Sequence, residues 1–330
     1  MIVTVIGSGS WGSAFARLLC GNLHQVQVLT LTREEASELE ATHVNQRFLP
    51  GVALPDQMRF SAMDDADLSS SELIAYVVPT QAVREVAGWV AARRPPAALQ
   101  LSLAKGLELG TLKRPSEVIA EETGSPAVVL SGPNHAEEVS RDLPSATVVA
   151  GEDEATRVMQ RALSCETFRV YTSTDVVGVE FCGAAKNPIA IAVGIADGLG
   201  FGDNTRASLI TRSLAEMTRL GALVGGRVET FTGLAGLGDL IATCTSRHSR
   251  NRLAGELLAR GTPAEQVGQV VGQVVEGIPT TYALRDLGFR HGIDMPVTEN
   301  VYQVLENGRP ARECVASLMG RSPTTEFRQP

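Results

Sequence analysis

The sequence predicts an α/β domain followed by an all-α domain: a doubly wound, mainly parallel sheet first, and a helical domain after it. Three observations predict this. The 330 residues amount to about two domains at roughly 100–200 residues each. Short β-branched runs alternate with helical patterns up to about residue 175. Beyond that point the β signal stops, and helices joined by Gly-rich turns follow. The expected boundaries are residues 1–180 for the first domain and 181–320 for the second. A polar, proline-bearing tail over 321–330 is expected to fray.

In chain order, strands are read over residues 2–6, 25–31, 73–78, 99–103, 128–130, 145–150 and 168–171. Several are continuous apolar runs, such as Leu73-Ile74-Ala75-Tyr76-Val77-Val78, the pattern of strands covered on both faces. Helices are read between them over 13–20, 81–92 and 116–122. The second half reads as helices over 176–197, 205–223, 250–259, 263–270, 280–287, 299–306 and 311–319. The first of these is long and apolar, carries Lys186, and is expected to bridge the domains. Pro188 removes a backbone donor within it and predicts a kink.

Composition narrows the function classes. With 44% hydrophobic and 20% charged residues, the chain suits a well-cored protein. A net charge of −8 disfavours a general binder of nucleic acid or anionic membrane. The five cysteines, Cys20, Cys165, Cys182, Cys244 and Cys314, are odd in number and lack zinc spacing. They point to reduced thiols in the cytoplasm, with no metal site. The opening Met1-Ile2-Val3-Thr4-Val5-Ile6 lacks the basic region of a signal peptide. No apolar stretch reaches the ~18 residues of a membrane span, the best candidate being cut short by Asp197. Only three of the 29 basic residues are lysines: Lys105, Lys113 and Lys186. Arginine cannot lose its proton near neutral pH, so a lysine kept here is a candidate for proton chemistry. Lys113, in a polar helix start, is read as a surface residue.

Gly7-Ser8-Gly9-Ser10-Trp11-Gly12 is a G-x-G-x-x-G turn placed between the first strand and a helix. Gly7 permits the tight turn, Gly9 lets the backbone approach a pyrophosphate, and Gly12 lets helix and strand pack. The helix N-terminus then offers unpaired N–H groups to the anion. This predicts a Rossmann-like dinucleotide site. The second strand ends Leu29-Thr30-Leu31-Thr32-Arg33, with no acid to accept from a ribose 2′-hydroxyl. Hydroxyls and Arg33 instead favour a 2′-phosphate, so NADP(H) is the expected cofactor, with NAD(H) possible.

The loops at the sheet's carboxyl edge gather the chemistry. Lys105 follows the strand at 99–103, and Ser131-Gly132-Pro133-Asn134 follows the strand at 128–130. Lys186 lies on an apolar helix, where a lysine is costly unless paired or functional. Two lysines sharing a cleft would lower each other's pKa, and acting near neutrality requires one to fall from ~10.4 to roughly 7–8. In Gly233-Leu234-Ala235-Gly236-Leu237-Gly238-Asp239 no strand precedes the glycines and no Gly-Lys-Ser/Thr ends them, which excludes a nucleotide-triphosphate loop. Asp239 and Thr243, at i and i+4, share one face of a helix starting near Asp239. Ser249 reads as an N-cap, so Arg250 opposes the helix dipole and wants an anion. A substrate phosphate held by N–H groups, Arg250 and Asn251 would serve. Arg247 and Arg252 read as solvated.

These residues together resemble the bacterial type of NAD(P)-dependent glycerol-3-phosphate dehydrogenase. The resemblance runs from Ile2 to about Gly320 and is carried by Gly7 to Gly12, Lys105-Gly106-Leu107-Glu108, Ser131-Gly132-Pro133, Lys186-Asn187, Thr243-Cys244-Thr245, Ser249-Arg250-Asn251 and Val274-Val275-Glu276-Gly277, among others. It implies reversible reduction of dihydroxyacetone phosphate to sn-glycerol 3-phosphate, a phospholipid precursor. It implies that Lys186 is the general acid and base, with Lys105, Asp239 and Thr243 as its active-site partners. Lys105, Gly132, Asn134, Lys186, Asp239, Ser249, Arg250 and Asn251 match substrate-binding positions. Gly7, Gly9, Ser10, Trp11, Gly12, Arg33, Lys105, Ala136, Arg250, Val274 and Glu276 are the expected cofactor contacts, Arg33 on its own chemistry and the others by turn or family position. A homodimer in the cytoplasm, with a small phosphorylated substrate, is expected. The chain departs from the family's pattern at Leu31, Asn134, His135 and Pro188. A related hydroxyacid or ketopantoate-type dehydrogenase, and a non-catalytic NADP-binding protein, stay open as alternatives.

Overall fold

The computed structural model describes residues 1–321 and 325. Most of the expected fraying tail therefore lies outside the described residues.

Eight strands form one sheet in the order β3-β2-β1-β4-β5-β6-β7-β8. They are β1 (Ile2–Ile6), β2 (Gln25–Thr30), β3 (Arg59–Ala62), β4 (Leu73–Tyr76), β5 (Leu99–Ser102), β6 (Val128–Ser131), β7 (Ser145–Ala150) and β8 (Phe168–Ser173). Every pairing is parallel except β6 with β7. Between the strands lie α1 (Ser10–Gly21), α2 (Arg33–Thr42), α3 (Val83–Ala91), α4 (Pro115–Thr123), α5 (Ala136–Val139) and α6 (Asp153–Leu163). The order reverses between β1 and β4, so the crevice at their carboxyl ends is the topological switch point where open α/β sheets bind ligands.

Strand alternation sends Val3 and Val5 to one face, where Phe15 and Leu19 of α1 cover them. Ile6, Ile74 and Tyr76 face the other side, under Val83, Val86 and Val90 of α3. Each fully buried side chain of this size contributes about 1.5–3 kcal/mol.

The helical half comprises α7 (Val176–Gly198), α8 (Asp203–Leu223), α9 (Val228–Phe231), α10 (Asp239–Thr245), α11 (Arg250–Ala259), α12 (Ala264–Val271), α13 (Gly277–Arg290), α14 (Pro296–Asn307) and α15 (Ala311–Met319). Asp175 caps α7 by accepting from Gly178 N at 2.9 Å. Its other oxygen takes Arg227 N and the Thr230 hydroxyl, tying α9 to the same point. By length and composition α7 could cross a membrane, contrary to the reading of the sequence. Its apolar window is 89% buried, so it is the spine of the helical core. It is assigned as one helix through Pro188, with no break at the expected kink.

Backbone meets backbone where α11 crosses α7. A Cβ on Gly194 would lie 1.9 Å from the Arg252 carbonyl, and one on Gly255 would lie 2.1 Å from that of Ile191. Gly194→Ala is therefore expected to cost about 3 kcal/mol of stability. A lowered urea midpoint would register it, and an unchanged midpoint would mean the helices can part there.

Candidate active site

Carboxyl-edge loops of the sheet build one side of the site. Gly7 adopts φ +112°, where side chains are strained, and a Cβ there would meet the Val77 carbonyl at 2.4 Å. A Cβ on Gly12 would sit 1.9 Å from the Gly7 carbonyl. A Cβ on Gly9 would meet nothing within 4 Å. Gly9 also serves as the N-cap of α1 without a side-chain cap bond, so the helix's first N–H groups stay available. The turn is thus tight where it must pack and open where an anion would approach, which fits a dinucleotide pyrophosphate. Asn45 Nδ2 and the Ser13 hydroxyl both donate to Ser8 O and hold the loop. Ser10 and Trp11 open α1, with the Ser10 hydroxyl 3.5 Å from Gln273 Oε1 and the Trp11 ring against Phe15. Ala136 is buried at the start of α5.

Arg33, read as the cation for a 2′-phosphate, is engaged elsewhere. Its Nε and Nη2 donate to the two oxygens of Asp65, each at 2.7 Å, and hold that carboxyl below the usual range.

Two lysines converge on one carboxylate. Lys186 Nζ donates to Asp239 Oδ1 at 2.6 Å and to the Thr243 hydroxyl at 2.8 Å. Lys105 Nζ donates to Asp239 Oδ2 at 2.7 Å and to the Gly132 carbonyl at 3.0 Å. A π-turn over Leu234–Gly238 delivers Asp239 to the first position of α10, and Thr243 follows one turn later on the same face. Gly183 on α7 makes room: a Cβ there would press on the Ser131 hydroxyl at 2.8 Å and on Lys105 Cγ at 3.4 Å. Lys186 is buried, and desolvation is the main reason its pKa falls to about 8. Asp239 opposes that fall, while Lys105 adds to it. Burial works against the charge of Asp239 too, but the two ammoniums outweigh it and hold the carboxyl below its ordinary value. Lys113 pairs with Glu121 at the surface, away from this cluster.

Buried amides link the cluster to α11. Asn187 Nδ2 donates to the Lys105 carbonyl, Asn251 Nδ2 donates to Asn187 Oδ1, and Gly277 N donates to Asn251 Oδ1, each at 2.9 Å. Asn251 is thereby committed to positioning as well as to any ligand. Ser249 caps α11 by accepting from Arg252 N at 3.2 Å. Arg250 is exposed and leans on the Val274 carbonyl at 3.0 Å. Arg252 is not the solvated residue expected of it. Its guanidinium pairs with the buried Asp197 at 2.7 Å, and Arg206 of α8 pairs with the same carboxylate.

Asn134 turns its amide nitrogen to the Ala146 carbonyl at 3.1 Å and leaves Oδ1 buried with no partner among the described residues. The Ser131 hydroxyl is left in the same state. Such orphaned atoms are what a polar ligand would satisfy. His135 leans on the Ala242 carbonyl, its pKa lowered first by burial and then by Lys186. Glu276 reaches across from the helical half to accept from Thr80 N at 3.0 Å, and burial pushes its carboxyl up. All five cysteines are free thiols, four of them buried.

Two features escaped the sequence reading. The Asn187 to Asn251 relay has no local signature, because its members lie on separate helices. Glu35 accepts from the Ser8 hydroxyl at 2.5 Å, inside the glycine turn. Thr32-Arg33-Glu34-Glu35 has the form of a capping box, which would assign Glu35 to its own helix start. Only half of that box forms: Thr32 accepts from Glu35 N, and the carboxylate goes to the turn.

Known proteins resemble this chain along almost its whole length. Residues 2–157 match the family described as NAD-dependent glycerol-3-phosphate dehydrogenase N-terminus, and residues 175–316 match its C-terminus. A glycerol-3-phosphate dehydrogenase (NAD(P)+) of Moorella thermoacetica is 49% identical over 325 residues, covering 98% of this chain and 97% of that protein. The crystal structure of glycerol-3-phosphate dehydrogenase from Coxiella burnetii superposes with TM-score 0.92 at 37% identity, covering 97% of this chain and 98% of that one. A ketopantoate reductase from Ralstonia eutropha, at 15% identity and TM-score 0.63, covers 97% of this chain and all of its own, and shares the fold alone.

Proposed function

The chain belongs to the NAD-dependent glycerol-3-phosphate dehydrogenase family, and from that membership we propose how its own residues perform the reaction. The reaction is the reversible, NAD(P)H-dependent reduction of dihydroxyacetone phosphate to sn-glycerol 3-phosphate, the precursor of glycerophospholipids. One observation carries the proposed roles: two lysines on the two oxygens of one buried carboxylate, beside a glycine turn shaped for a dinucleotide.

When bound, NAD(P)H supplies the hydride that C2 of the substrate receives. Lys186 Nζ then gives its proton to the C2 oxygen, and takes that proton back in the reverse direction. A lysine with a pKa near 8 suits both tasks at neutral pH. Asp239 and Thr243 fix Nζ in place from one helix face. Lys105 offers a second positive charge toward the substrate oxygens. Gly132 and Asn134 border the same cleft. The free N–H groups at the start of α11, with Ser249, Arg250 and Asn251, receive the phosphate dianion. Ser10, Trp11, Ala136, Val274 and Glu276 border the dinucleotide.

We assign the dinucleotide half to residues 1–180 and the substrate half to 181–320, a division supported by the end of β8 at Ser173. The enzyme works as a cytoplasmic homodimer in this reading, supported by its free thiols and by Leu223, Phe289 and Met319, exposed on the helical half.

The phosphate site gives the test. Purified enzyme with NAD(P)H is expected to turn over dihydroxyacetone phosphate at least about a hundredfold faster, as kcat/KM, than dihydroxyacetone, since two or three charge-assisted hydrogen bonds are at stake. Equal rates on the two substrates would remove the phosphate role from α11.

A further inference from the structure

The adenosine end of the cofactor site holds a carboxylate that the strand-end pattern does not reveal. Glu35 stands on the first turn of α2, and its Oε1 accepts from the Ser8 hydroxyl at 2.5 Å. Ser8 lies between Gly7, which makes the turn, and Gly9, which faces open space. The position of Glu35 is not accidental rotamer choice. Thr32 accepts from Glu35 N at 3.2 Å and fixes the helix start, and the backbone of Ser8 is itself anchored by Asn45 and Ser13. The second oxygen of Glu35 makes no hydrogen bond among the described residues.

The cation nearest in sequence is withdrawn. Arg33 places its Nε and Nη2 on Asp65, which follows the outermost strand β3. Leu31, just after β2, is 84% exposed and offers an apolar side chain on which a base could rest. A base resting there, with its pyrophosphate at Gly9, would bring the ribose beside Glu35. The sequence reading of a 2′-phosphate site rested on Arg33 and on the lack of an acid at the strand end. In space the acid is present, supplied by the following helix.

We propose that Glu35 is a specificity-determining residue: it accepts from the ribose 2′-hydroxyl and opposes a 2′-phosphate, so that it sets the ratio in which the two dinucleotides bind. A carboxylate within about 4–5 Å of a phosphate dianion, partly shielded from water, costs on the order of tenfold in affinity or more. The proposal rests on the reading that the dinucleotide lies along the glycine turn.

Glu35→Gln tests it, because the amide keeps the size of the side chain and can still bond Ser8. NAD+ and NADP+ are titrated into wild type and variant by calorimetry, with Trp11 fluorescence as a second signal. No turnover is involved. The expected result is a shift of about tenfold in the ratio of dissociation constants toward NADP+, mostly through tighter NADP+ binding. Asp65→Asn, which frees Arg33, is expected to move the ratio the same way. A ratio unchanged in Glu35→Gln, with both dinucleotides still bound, overturns the proposal alone. Failure of wild type to bind either dinucleotide overturns the reading of the turn and the proposal with it.

Discussion

Lys186→Ala lowers kcat for dihydroxyacetone phosphate reduction by about a thousandfold and leaves the dissociation constant for NAD(P)H within about twofold of wild type. The expectation follows from where the amine sits. It is buried, aimed by Asp239 and Thr243, and is not part of the glycine turn proposed to receive the dinucleotide. General acid catalysis by a positioned group is worth about 10²–10⁴, and Lys186 combines a transferable proton with a pKa brought down to about 8. The pH profile carries the same assignment with its sign. Reduction needs the ammonium, so kcat/KM is flat below pH 8 and falls as pH rises through about 8. Oxidation needs the free amine, so its rate rises toward about 8 and levels above it. A variant that turned over at the wild-type rate, or a reduction limb lying near the ordinary lysine value of 10.5, would take the proton transfer away from Lys186.

Asp239→Asn is expected to be the more damaging change to the fold. Asp239 is the shared counter-charge of two lysines, and losing it leaves the buried Lys186 and the half-buried Lys105 without a counter-charge. Removing one partner of a buried pair costs about 3–5 kcal/mol. Part of that cost is recovered if Lys186 releases its proton, which links stability to catalysis. Asp239 is the group that raises the Lys186 pKa against burial and Lys105. Without it the pKa falls further, and the descending limb of the reduction profile moves to lower pH. Urea denaturation reads the first effect and the pH profile of kcat/KM reads the second. A stability loss with an unmoved pH limb would confine Asp239 to a structural role.

The legible part of this molecule was what sequence writes locally. Buried strands announce themselves as β-branched runs, so seven of the eight strands are readable, and the glycine turn is readable because each glycine answers a steric demand of its own. β3 is missed because Arg59-Phe60-Ser61-Ala62 is a short edge strand with one large apolar residue. α6 is missed because charged and polar residues dominate Asp153–Leu163 and its buried face is as small as Thr156, Met159, Ala162 and Leu163. Within the site, the scarcity of lysine singled out Lys105 and Lys186, while their meeting on Asp239 depends on the packing of α10 against α7. Arg252 was misread for a related reason: its partner Asp197 is 55 residues away in sequence and buried at the end of another helix. Glu35 was hidden by a helix-start pattern that explains an acid locally. Side chains whose partners come from other elements are not visible in one dimension.

The crossing of α7 and α11 has one more consequence. One helix carries the amine and the other carries the serine cap and the arginine, and at Gly194 and Gly255 they touch backbone to backbone. In the proposed reading, the two ends of the catalytic cleft are thus the jaws of a fixed caliper. Such a device measures its ligand: the span from the carbonyl oxygen to the anionic head is set by the protein, and a ketose one carbon longer or shorter would have to strain itself to touch both jaws.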